Sequence, residues 1–398
     1  MDKIMSFDTF KILEDGEPLE EDYKKIPLHM CFAVKWDGRH KARLVAGGNH
    51  TSPGETDDFA GVVSNEAVCI GLLLAALNDL DLMVGDVGNA YLHAFTTEKV
   101  YSIAGPEFGE LQGKRIKIVK SLYGLRSSHI RWRNFISDDL RDMGFTQSRV
   151  DADLWYRDTG THYEYIDVYV DDILVFSKRA QQIMQQLQQK YPMKGVGRPE
   201  IYLGGNMGFH EGTNTLYMSA EKYTTNMVEK LETMFERSFR SYKAPMDPEY
   251  HPENDTSAFL GEEDHAKYRM MVGSTQWAIT LGRFDIAYTI STLARYSALP
   301  RQGHMDAMIR VFGYLKKTKG AKILFDPRQP DYSSFKFQQH KWEGVYAGAR
   351  EEIDPSFPTP KGKPVTLTIF VDADHARDKE TRRSVTGILE FMNCTPIR

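Results

Sequence analysis

Asp171 and Asp172 stand side by side in "YVDDILVF" (169–176), within a run that is otherwise apolar, β-branched and aromatic. The preceding "HYEYIDVY" alternates and predicts one strand, and "ILVFSK" predicts another, so the two acids lie at or beside a tight hairpin turn. Such a pair is often only a solvated turn, because aspartate tolerates left-handed backbone conformations. A role in chemistry requires a third carboxylate and something for it to act on.

Asp86 is a candidate for that third carboxylate, because it ends the short apolar strand predicted within "DLMVGDVGNAYL" (81–92). Adjacent strands of one sheet would bring it to Asp171 and Asp172 from a separate part of the chain. Three carboxylates at one point repel each other and stay unprotonated only around cations. Magnesium is typically held by few carboxylates plus waters and substrate phosphates, and two ions about 4 Å apart can activate an attacking oxygen and stabilise a leaving one. The spacing permits such a site without requiring it.

The composition is that of a large globular protein. The chain has 398 residues, 41% hydrophobic and 26% charged, which suffices for two or three domains. Its longest apolar run, "VCIGLLLAAL" (68–77), has the length of a buried helix rather than a membrane span. The N-terminal "MDKIMSFDTF" lacks the basic and apolar regions of a signal peptide, and the three cysteines form no CxxC pair. We therefore expect a reducing intracellular setting, with no membrane and no structural zinc.

Charge is unevenly distributed along the chain. The net charge of −5 argues against a nucleic-acid binder. Residues 1–22 carry eight acids and two lysines, but residues 111–133 carry seven Lys or Arg and no acid, and residues 301–322 carry six Lys or Arg and one acid. Basic stretches with interleaved aromatics suit a phosphate-backbone track. A solvated helix face is the alternative for either stretch alone.

Periodicity predicts the elements that position these residues. They are a hairpin around an Asp-Gly turn (30–46), a buried helix (65–80), an amphipathic helix (128–143), a glutamine-rich helix (180–190), a hairpin formed by "EIYLGGNMGFH" and "NTLYMS", and a mostly helical region (220–318). Residues 326–364 hold six of the 17 prolines and have no clear period, which indicates a linker or irregular insertion. A new strand starts in "PVTLTIFVDADHA".

The succession of "DVGNAYL", "SLYGL" and "YVDD" resembles the reverse transcriptase of copia-type (pseudoviral) retrotransposons. "HKARLVAGG" resembles its fingers segment, "IYLGG" its primer-gripping turn, and "YRMMVGSTQWAITLGRFDIAYTISTLARY" the helical region beyond. "FVDADHARDKETRRSVTGIL" resembles the start of the ribonuclease H domain. The resemblance covers roughly residues 26–398.

This resemblance implies an α+β fold of the right-hand polymerase type, with fingers, palm and thumb, a helical connection and a truncated ribonuclease H-like start. The implied segments are an acidic lead (1–25), fingers and palm (26–215), a helical thumb and connection (216–325), a linker or insertion (326–364), and the ribonuclease H-like start (365–398). Asp372 would match the first carboxylate of a ribonuclease H site. That chemistry needs several carboxylates from later elements, and the segment is shorter than the roughly 40 residues at which a domain folds unaided. We therefore expect no ribonuclease H activity in this chain.

The resemblance also assigns the acids. Asp86, Asp171 and Asp172 match the catalytic triad. The resemblance favours Asp86 and Asp171 over Asp172 as direct ligands of two Mg²⁺ ions. Mn²⁺ can stand in for Mg²⁺. The Val87 carbonyl would add a further metal ligand.

Five further positions match residues around the incoming nucleotide. Tyr91 matches the bulky residue that lies under the sugar and excludes a 2′-hydroxyl; without the resemblance it would be a core tyrosine on a short helix. Lys41 and Arg43 match the cations that hold the triphosphate, and alternate positions of a strand face the same side. Gly124 matches the glycine near the nucleotide, and Lys194 the lysine that protonates the leaving pyrophosphate.

Two motifs depart from the family pattern. "LYGLRSSHI" replaces L-Y-G-L-x-Q-S-P, because Ser127 and His129 stand where the family has an amide and a proline. "GRFDI" replaces T-R-P-D-I. Neither change touches the metal ligands, but the template and nucleotide contacts of the family's amide and proline do not transfer to Ser127 and His129.

The implied function is an RNA- and DNA-templated DNA polymerase that joins dNTPs to a primer 3′-hydroxyl by in-line phosphoryl transfer. Its partners would be an RNA template, a DNA primer-template, dNTPs, and integrase and capsid segments of the same polyprotein, in a cytoplasmic virus-like particle and in the nucleus. A decayed, non-catalytic nucleic-acid-binding remnant is the alternative. The intact triad favours activity, and the altered motif after "LYGL" favours decay. An unrelated metal-dependent nuclease would require the ordered motifs to be coincidental.

Overall fold

The computed structural model describes residues 1–34, 38–51, 60–213, 215–336, 344–345, 347–348, 352 and 354–398. The chain forms two compact units. The first comprises Met1–Ser64, Met83–Asp158 and Glu164–Gly197. The second comprises Asn65–Leu82, Thr159–Tyr163 and Arg198–Arg398. Both units mix helices with sheet, as the predicted α+β class requires.

In chain order the strands are β1 (Phe10–Ile12), β2 (Lys24–Lys25), β3 (Leu28–Val34), β4 (His40–Ala46), β5 (Asp81–Val87), β6 (Val100–Ile103), β7 (Arg115–Ile118), β8 (Thr146–Gln147), β9 (Leu154–Asp158), β10 (Tyr163–Tyr169), β11 (Asp172–Ser177), β12 (Met193–Gly197), β13 (Ile201–Tyr202), β14 (Gly205–His210), β15 (Thr215–Ser219), β16 (Lys322–Leu324), β17 (Leu367–Ala373), β18 (Thr386–Met392) and β19 (Thr395–Pro396). The α-helices are α1 (Asp2–Met5), α2 (Asn65–Asn78), α3 (Ser128–Asp142), α4 (Ala180–Lys190), α5 (Glu221–Met234), α6 (Glu262–Thr280), α7 (Ala287–Ala294) and α8 (Gln302–Lys317). Short 3₁₀ helices include Gly48–His50, Ala90–His93 and Pro106–Leu111.

A six-stranded sheet of the first unit carries the candidate acids. Its strand order is β12-β5-β11-β10-β9-β8. The strand that contains Asp86, β5, is therefore the neighbour of β11, which begins at Asp172. β10 and β11 form the predicted hairpin, with Tyr169 opposite Asp172. The predicted adjacency of the two acid-bearing strands is confirmed.

Helices α3 and α4 pack their apolar sides against this sheet. Trp132, Ile136 and Leu140 recur at every fourth position of α3 and are buried with Ile166 and Val175 of the hairpin. The glutamines of α4 are exposed, which confirms the polar surface predicted for them. The hairpin thus rests on a core that its own apolar residues help to form.

The predicted hairpin of residues 30–46 is the β3–β4 pair, in which Cys31 lies opposite Arg43. Residues 35–37 lie outside the described residues, so only Gly38 of the predicted Asp-Gly turn is described, with a φ of +79°. A four-stranded sheet, in the order β1-β7-β6-β2, takes β1 and β2 from the predicted lead segment (1–25). That segment is therefore built into the first unit.

The basic stretch 111–133 engages much of its charge within the first unit. Lys117 pairs with Glu20 and lies 4.2 Å from the ring centroid of Tyr23, and the Arg115 guanidinium donates to the Glu17 carbonyl at 2.6 Å. Further cations of the stretch donate to backbone carbonyls or pair with an acid: Lys120, Arg126, Arg131 and Arg133. The stretch is therefore largely a structural scaffold rather than an uninterrupted phosphate track.

In the second unit, β13, β14, β15 and β16 form one antiparallel sheet. The sheet joins residues 201–219 to residues 322–324, so the predicted segment boundary at 215/216 falls inside β15. Helices α5 to α8 confirm the predicted helical region and share one core. At the "GRFDI" motif, Arg283 is buried and makes a bidentate ion pair with Asp285 at 2.9 and 2.8 Å, so this arginine has a structural role in the altered motif.

Strands β17, β18 and β19 form a three-stranded antiparallel sheet in which Asp372 lies opposite Gly387. Several apolar side chains of β17 are exposed: Leu367, Ile369, Phe370 and Val371. The turn after β17 is held to the helical region by an ion pair between Asp378 and Arg295. Among the described residues, no helix is long and apolar enough to cross a membrane.

Candidate active site

The hairpin turn and the end of β5 bring the three candidate acids together. Asp171 lies in the two-residue turn between β10 and β11, Asp172 is the first residue of β11, and Asp86 is the penultimate residue of β5. The Val87 N–H donates to the Asp171 carbonyl at 2.7 Å. This bond ties the turn to the strand end that carries Asp86, so the site forms between strands that are distant in sequence.

The pKa of Asp172 is raised in this arrangement of acids. Burial, followed by the negative charges of Asp171 and Asp86, raises the pKa of Asp172 from 3.8 to about 6. Mutual repulsion of this kind is what carboxylates sharing a site produce. A cation among them would lower that pKa again.

Carboxylate oxygens suit a hard divalent cation. Among the described residues, no three His, Cys, Asp or Glu side chains are arranged as a ready-made metal site. Mg²⁺ usually binds one or two carboxylates and completes its shell with waters and substrate phosphates. Metal binding by these acids stays a prediction.

Tyr91 and Arg43 both meet a residue that the sequence analysis did not single out, Tyr123. Tyr91 is half-buried on the 3₁₀ helix Ala90–His93, and its ring centroid lies 4.9 Å from that of Tyr123. The Arg43 guanidinium lies 5.2 Å from the Tyr123 ring centroid. Burial, then the charge of Asp171, raises the pKa of Tyr123. The signal that could have found Tyr123 is its place next to Gly124 in "SLYGL".

Gly124 is required by a close backbone approach. Its φ is +93°, and a Cβ there would lie 2.1 Å from the Ala46 carbonyl oxygen. The Ala46 N–H also donates to the Tyr123 carbonyl at 2.7 Å. The "LYGL" segment is therefore pressed against Ala46 at the end of β4, three residues beyond Arg43 and five beyond Lys41. Lys41 and Arg43 occupy alternate positions of that strand. The nucleotide roles of Gly124, Lys41 and Arg43 stay predictions.

Lys194 lies directly opposite Asp86 in the antiparallel pairing of β12 with β5. Directly opposed residues of an antiparallel pair project their side chains from the same face of the sheet. Lys194 is exposed, and the neighbouring Met193 lies opposite Val87. Lys194 and Asp86 therefore share one face of the sheet, and the proton-donor role of Lys194 stays a prediction.

The two substituted positions of the altered motif make different contacts. The Ser127 N–H and hydroxyl both donate to Glu98 Oε1, at 2.9 and 2.8 Å. His129 is half-buried with its ring centroid 6.4 Å from that of Tyr91, and burial lowers its pKa. Both residues thus have defined surroundings, although neither supplies the amide or the proline of the family pattern.

The hairpin contains another acid that the sequence analysis missed. Asp167 of β10 is fully buried, and neither carboxylate oxygen has a hydrogen-bond partner among the described residues. Burial raises its pKa well above the ordinary value, because the charged form loses its hydration. The alternation of "HYEYIDVY" could have placed Asp167 on one face of the strand, but it could not show that this face is buried.

The sequence analysis also missed a contact between the indole of Trp132 and the turn. Its N–H donates to the Val170 carbonyl in the turn at 2.6 Å. Val170 has a φ of +58°, in the left-handed region. The two residues are 38 positions apart, so no local spacing could have indicated the bond.

Comparison with known protein families gives one match to a family model. Residues 8–240 match the family described as Reverse transcriptase (RNA-dependent DNA polymerase). The match covers more than half of the chain and includes the turn, the strand end and the "LYGL" segment described above.

Curated relatives come from plant and yeast transposons. The chain is 25% identical over 368 residues to the retrovirus-related Pol polyprotein from transposon RE1 of Arabidopsis thaliana, covering 90% of this chain and 22% of the relative. It is 26% identical over 407 residues to that from transposon TNT 1-94 of Nicotiana tabacum, covering 98% and 27%. A putative transposon Ty5-1 protein of Saccharomyces cerevisiae is 28% identical over 318 residues, covering 78% and 90%. The chain thus spans about a quarter of the length of the two plant polyproteins.

Proposed function

The chain belongs to the reverse transcriptase (RNA-dependent DNA polymerase) family of copia-type retrotransposons, and we propose that it is an active polymerase that copies RNA and DNA templates into DNA. In this proposal the six-stranded sheet of the first unit is the palm, and the β3–β4 pair belongs to the fingers. Helices α5 to α8 form the thumb and connection.

The observation that carries the proposal is the bond between the Val87 N–H and the Asp171 carbonyl. It places the acid-bearing turn at the end of the strand that carries Asp86. The raised pKa of Asp172 supports the same arrangement, because the charges of Asp86 and Asp171 contribute to it. Acids that repel one another in the protein alone are suited to a reaction in which cations and phosphates meet between them.

Asp86 and Asp171 would hold two Mg²⁺ ions, or Mn²⁺ in their place, with Asp172 and the Val87 carbonyl as further oxygen ligands. Such ions, when bound, supply charge stabilisation at the attacking and leaving oxygens of an in-line displacement. The repulsion at Asp172 and the all-oxygen donor set fit this role.

The remaining residues would bind and orient the substrates. Lys41 and Arg43 bind the triphosphate, Tyr91 fills the space that a 2′-hydroxyl would need, and Gly124 lies near the nucleotide. The primer 3′-hydroxyl releases its proton to solvent as its oxygen bonds to the α-phosphorus, and the bond from that phosphorus to pyrophosphate breaks. Lys194, beside Asp86, donates a proton to the leaving pyrophosphate.

The decisive experiment is primer extension on an RNA template with Mg²⁺, with Asp86→Asn and Asp171→Asn beside the native chain. We expect each variant to lose about 10²-fold or more in extension rate, because charge stabilisation acts in the transition state. Primer-template affinity should change little, because it comes from distributed phosphate contacts. Asp81→Asn is the matched control, since Asp81 begins the same strand and is exposed.

Near-native extension by Asp86→Asn would overturn the assignment of the triad. A native chain that binds primer-template but never extends it would instead identify a decayed, non-catalytic remnant.

Because the chain spans only about a quarter of the two plant Pol polyproteins, its wider setting is also a proposal. We place it with integrase and capsid segments of one polyprotein, in a cytoplasmic virus-like particle and in the nucleus.

A further inference from the structure

The turn that presents Asp171 is strained. Two residues, Val170 and Asp171, connect the paired Tyr169 and Asp172, and Val170 has a φ of +58°. Two-residue hairpin turns with positive φ normally use Gly, Asn or Asp there. A β-branched residue in that region is an outlier and persists only where its surroundings hold it.

Two hydrogen bonds from different elements hold this turn. The Val170 carbonyl accepts the Trp132 indole N–H at 2.6 Å, from the first turns of α3. The next carbonyl, that of Asp171, accepts the Val87 N–H at 2.7 Å, from β5. The two successive carbonyls of the turn therefore accept hydrogen bonds from two different elements, and these bonds define the orientation of both peptide groups. The Val170 side chain also packs against the core that contains Trp132.

Trp132 is itself locked in place. Its side chain is 1% exposed, and its ring centroid lies 5.5 Å from that of Tyr191 and 5.9 Å from that of His93. The Tyr191 hydroxyl donates to Asp139 of α3, and the Lys190 ammonium pairs with the same carboxylate. An indole held by neighbours that are themselves hydrogen-bonded can fix a carbonyl more firmly than a surface side chain could.

We propose that Trp132 is a positioning residue for catalysis: its indole N–H holds the strained turn so that Asp171 stays aligned with Asp86. This inference rests on the proposed polymerase function for its kinetic consequence, but not for its structural one. Without the bond, the Val170 carbonyl loses a buried partner and Val170 relaxes toward negative φ. The carboxylate of the next residue, Asp171, then moves away from the position set by β5.

The test compares Trp132→Phe with Trp155→Phe. Phenylalanine keeps an aromatic ring but removes the N–H donor. Trp155 is also 1% exposed and belongs to the same core, on β9. Both variants lose similar packing, so the control separates the hydrogen bond from core stability.

Three measurements are made on each protein: amide hydrogen exchange of a peptide covering residues 165–176, Mn²⁺ affinity by electron paramagnetic resonance, and single-turnover primer extension over a range of Mg²⁺ concentrations.

For Trp132→Phe we expect faster hydrogen exchange at the turn and weaker Mn²⁺ binding. We also expect an extension rate lower by about tenfold or more, because small misplacements of reacting groups are costly. Its half-saturating Mg²⁺ concentration should rise, while primer-template affinity stays within about twofold. Trp155→Phe should show none of these changes beyond a lower melting temperature.

Equal turn exchange and equal Mn²⁺ affinity in the two variants would overturn the inference. Those two measurements need no polymerisation, so a native chain that fails to extend primers would refute the proposed function while the role of Trp132 is still decided. If Trp132→Phe folds poorly, Val170→Gly is added to it, because glycine adopts positive φ without strain. We expect the double variant to regain slow exchange at the turn, and no recovery would contradict the argument from strain.

Discussion

Asp172 carries a charge that the folded protein accommodates poorly in the absence of a cation. Burial and the charges of Asp171 and Asp86 raise its pKa from 3.8 to about 6. Below pH 3.8 the carboxyl is protonated in both the folded and the unfolded chain, so it contributes nothing to stability. As the pH rises from 3.8 to about 6, the unfolded chain releases this proton before the folded chain does, so the free energy of unfolding falls. Above about pH 6 the full cost is present.

Asp172→Asn should therefore stabilise the metal-free protein at pH 8 by about 1 kcal/mol, a figure reduced for the partial exposure of the group. The gain should be smaller at pH 5, where part of the native population is already protonated. Thermal unfolding in EDTA at the two pH values measures it. A variant that melts below the native protein at pH 8 would show that Asp172 contributes a favourable contact instead.

Tyr91 offers a second test at the scale of single residues. Tyr91→Ala should lower the preference for dNTPs over rNTPs by about tenfold or more, because a steric block works only while the side chain fills the space. Incorporation of the two nucleotides is compared before and after the change. Tyr123→Phe is the control, because it keeps the ring against which Tyr91 packs at 4.9 Å.

An unchanged nucleotide preference in Tyr91→Ala would return Tyr91 to a purely structural role on its 3₁₀ helix. A loss of preference in the control as well would shift the discrimination to the pair of tyrosines rather than to Tyr91 alone.

At the scale of elements, the "LYGL" segment and β4 must touch backbone to backbone. Gly124 permits this, since a Cβ there would lie 2.1 Å from the Ala46 carbonyl oxygen. Gly113 is a matched glycine, because its φ is +85° but a Cβ there would meet nothing within 4 Å. The two positions share the conformational strain and differ only in the collision.

Gly113→Ala should destabilise the protein by about 1 kcal/mol, the cost of placing a side chain at positive φ. Gly124→Ala should cost a further ~2 kcal/mol or more, because β4 must move away. Chemical denaturation of both variants measures the difference. Equal losses would mean that the segment shifts freely and that the close approach is not needed.

At the scale of the whole molecule, the C-terminal sheet carries Asp372, the residue predicted to match a ribonuclease H carboxylate. Asp372 lies near the end of β17, opposite Gly387. Asp374 accepts the Val385 N–H at 2.7 Å, and Asp378 pairs with Arg295 of α7's C-terminal end. These two acids therefore stabilise the turn. The turn does not supply the several carboxylates that two-metal hydrolysis needs.

We accordingly expect the 398-residue chain to leave an RNA–DNA hybrid intact in the presence of Mg²⁺ and the absence of nucleotides. A labelled RNA strand reports cleavage directly. Cleavage that disappears in Asp372→Asn would show a working ribonuclease H site, whereas cleavage that persists in it would indicate a contaminating nuclease.

Local pattern alone determined many of the elements in this protein. The alternation of "HYEYIDVY" and the apolar "ILVF" predicted the β10–β11 hairpin, and the spacing of apolar residues predicted α2, α3 and α4 with ends close to those observed. Such elements are predictable because periods of two and 3.6 residues describe how one face is buried, and neighbouring residues define that face. The motif order similarly indicated the family, which the match over residues 8–240 confirms.

Only the tertiary structure decided how those elements meet. The bond from the Val87 N–H to the Asp171 carbonyl, the bond from Trp132 to Val170, and the packing of Tyr91 and Arg43 on Tyr123 all join residues far apart in sequence. The engagement of the 111–133 cations by nearby carbonyls and acids was likewise invisible in composition, because a count of charges does not show which partners fold against them. Periodicity identifies the face of an element that is buried, but the partner on that face depends on the packing of the whole unit. The raised pKa of Asp172 and the strained backbone of Val170 therefore depend on that packing as well.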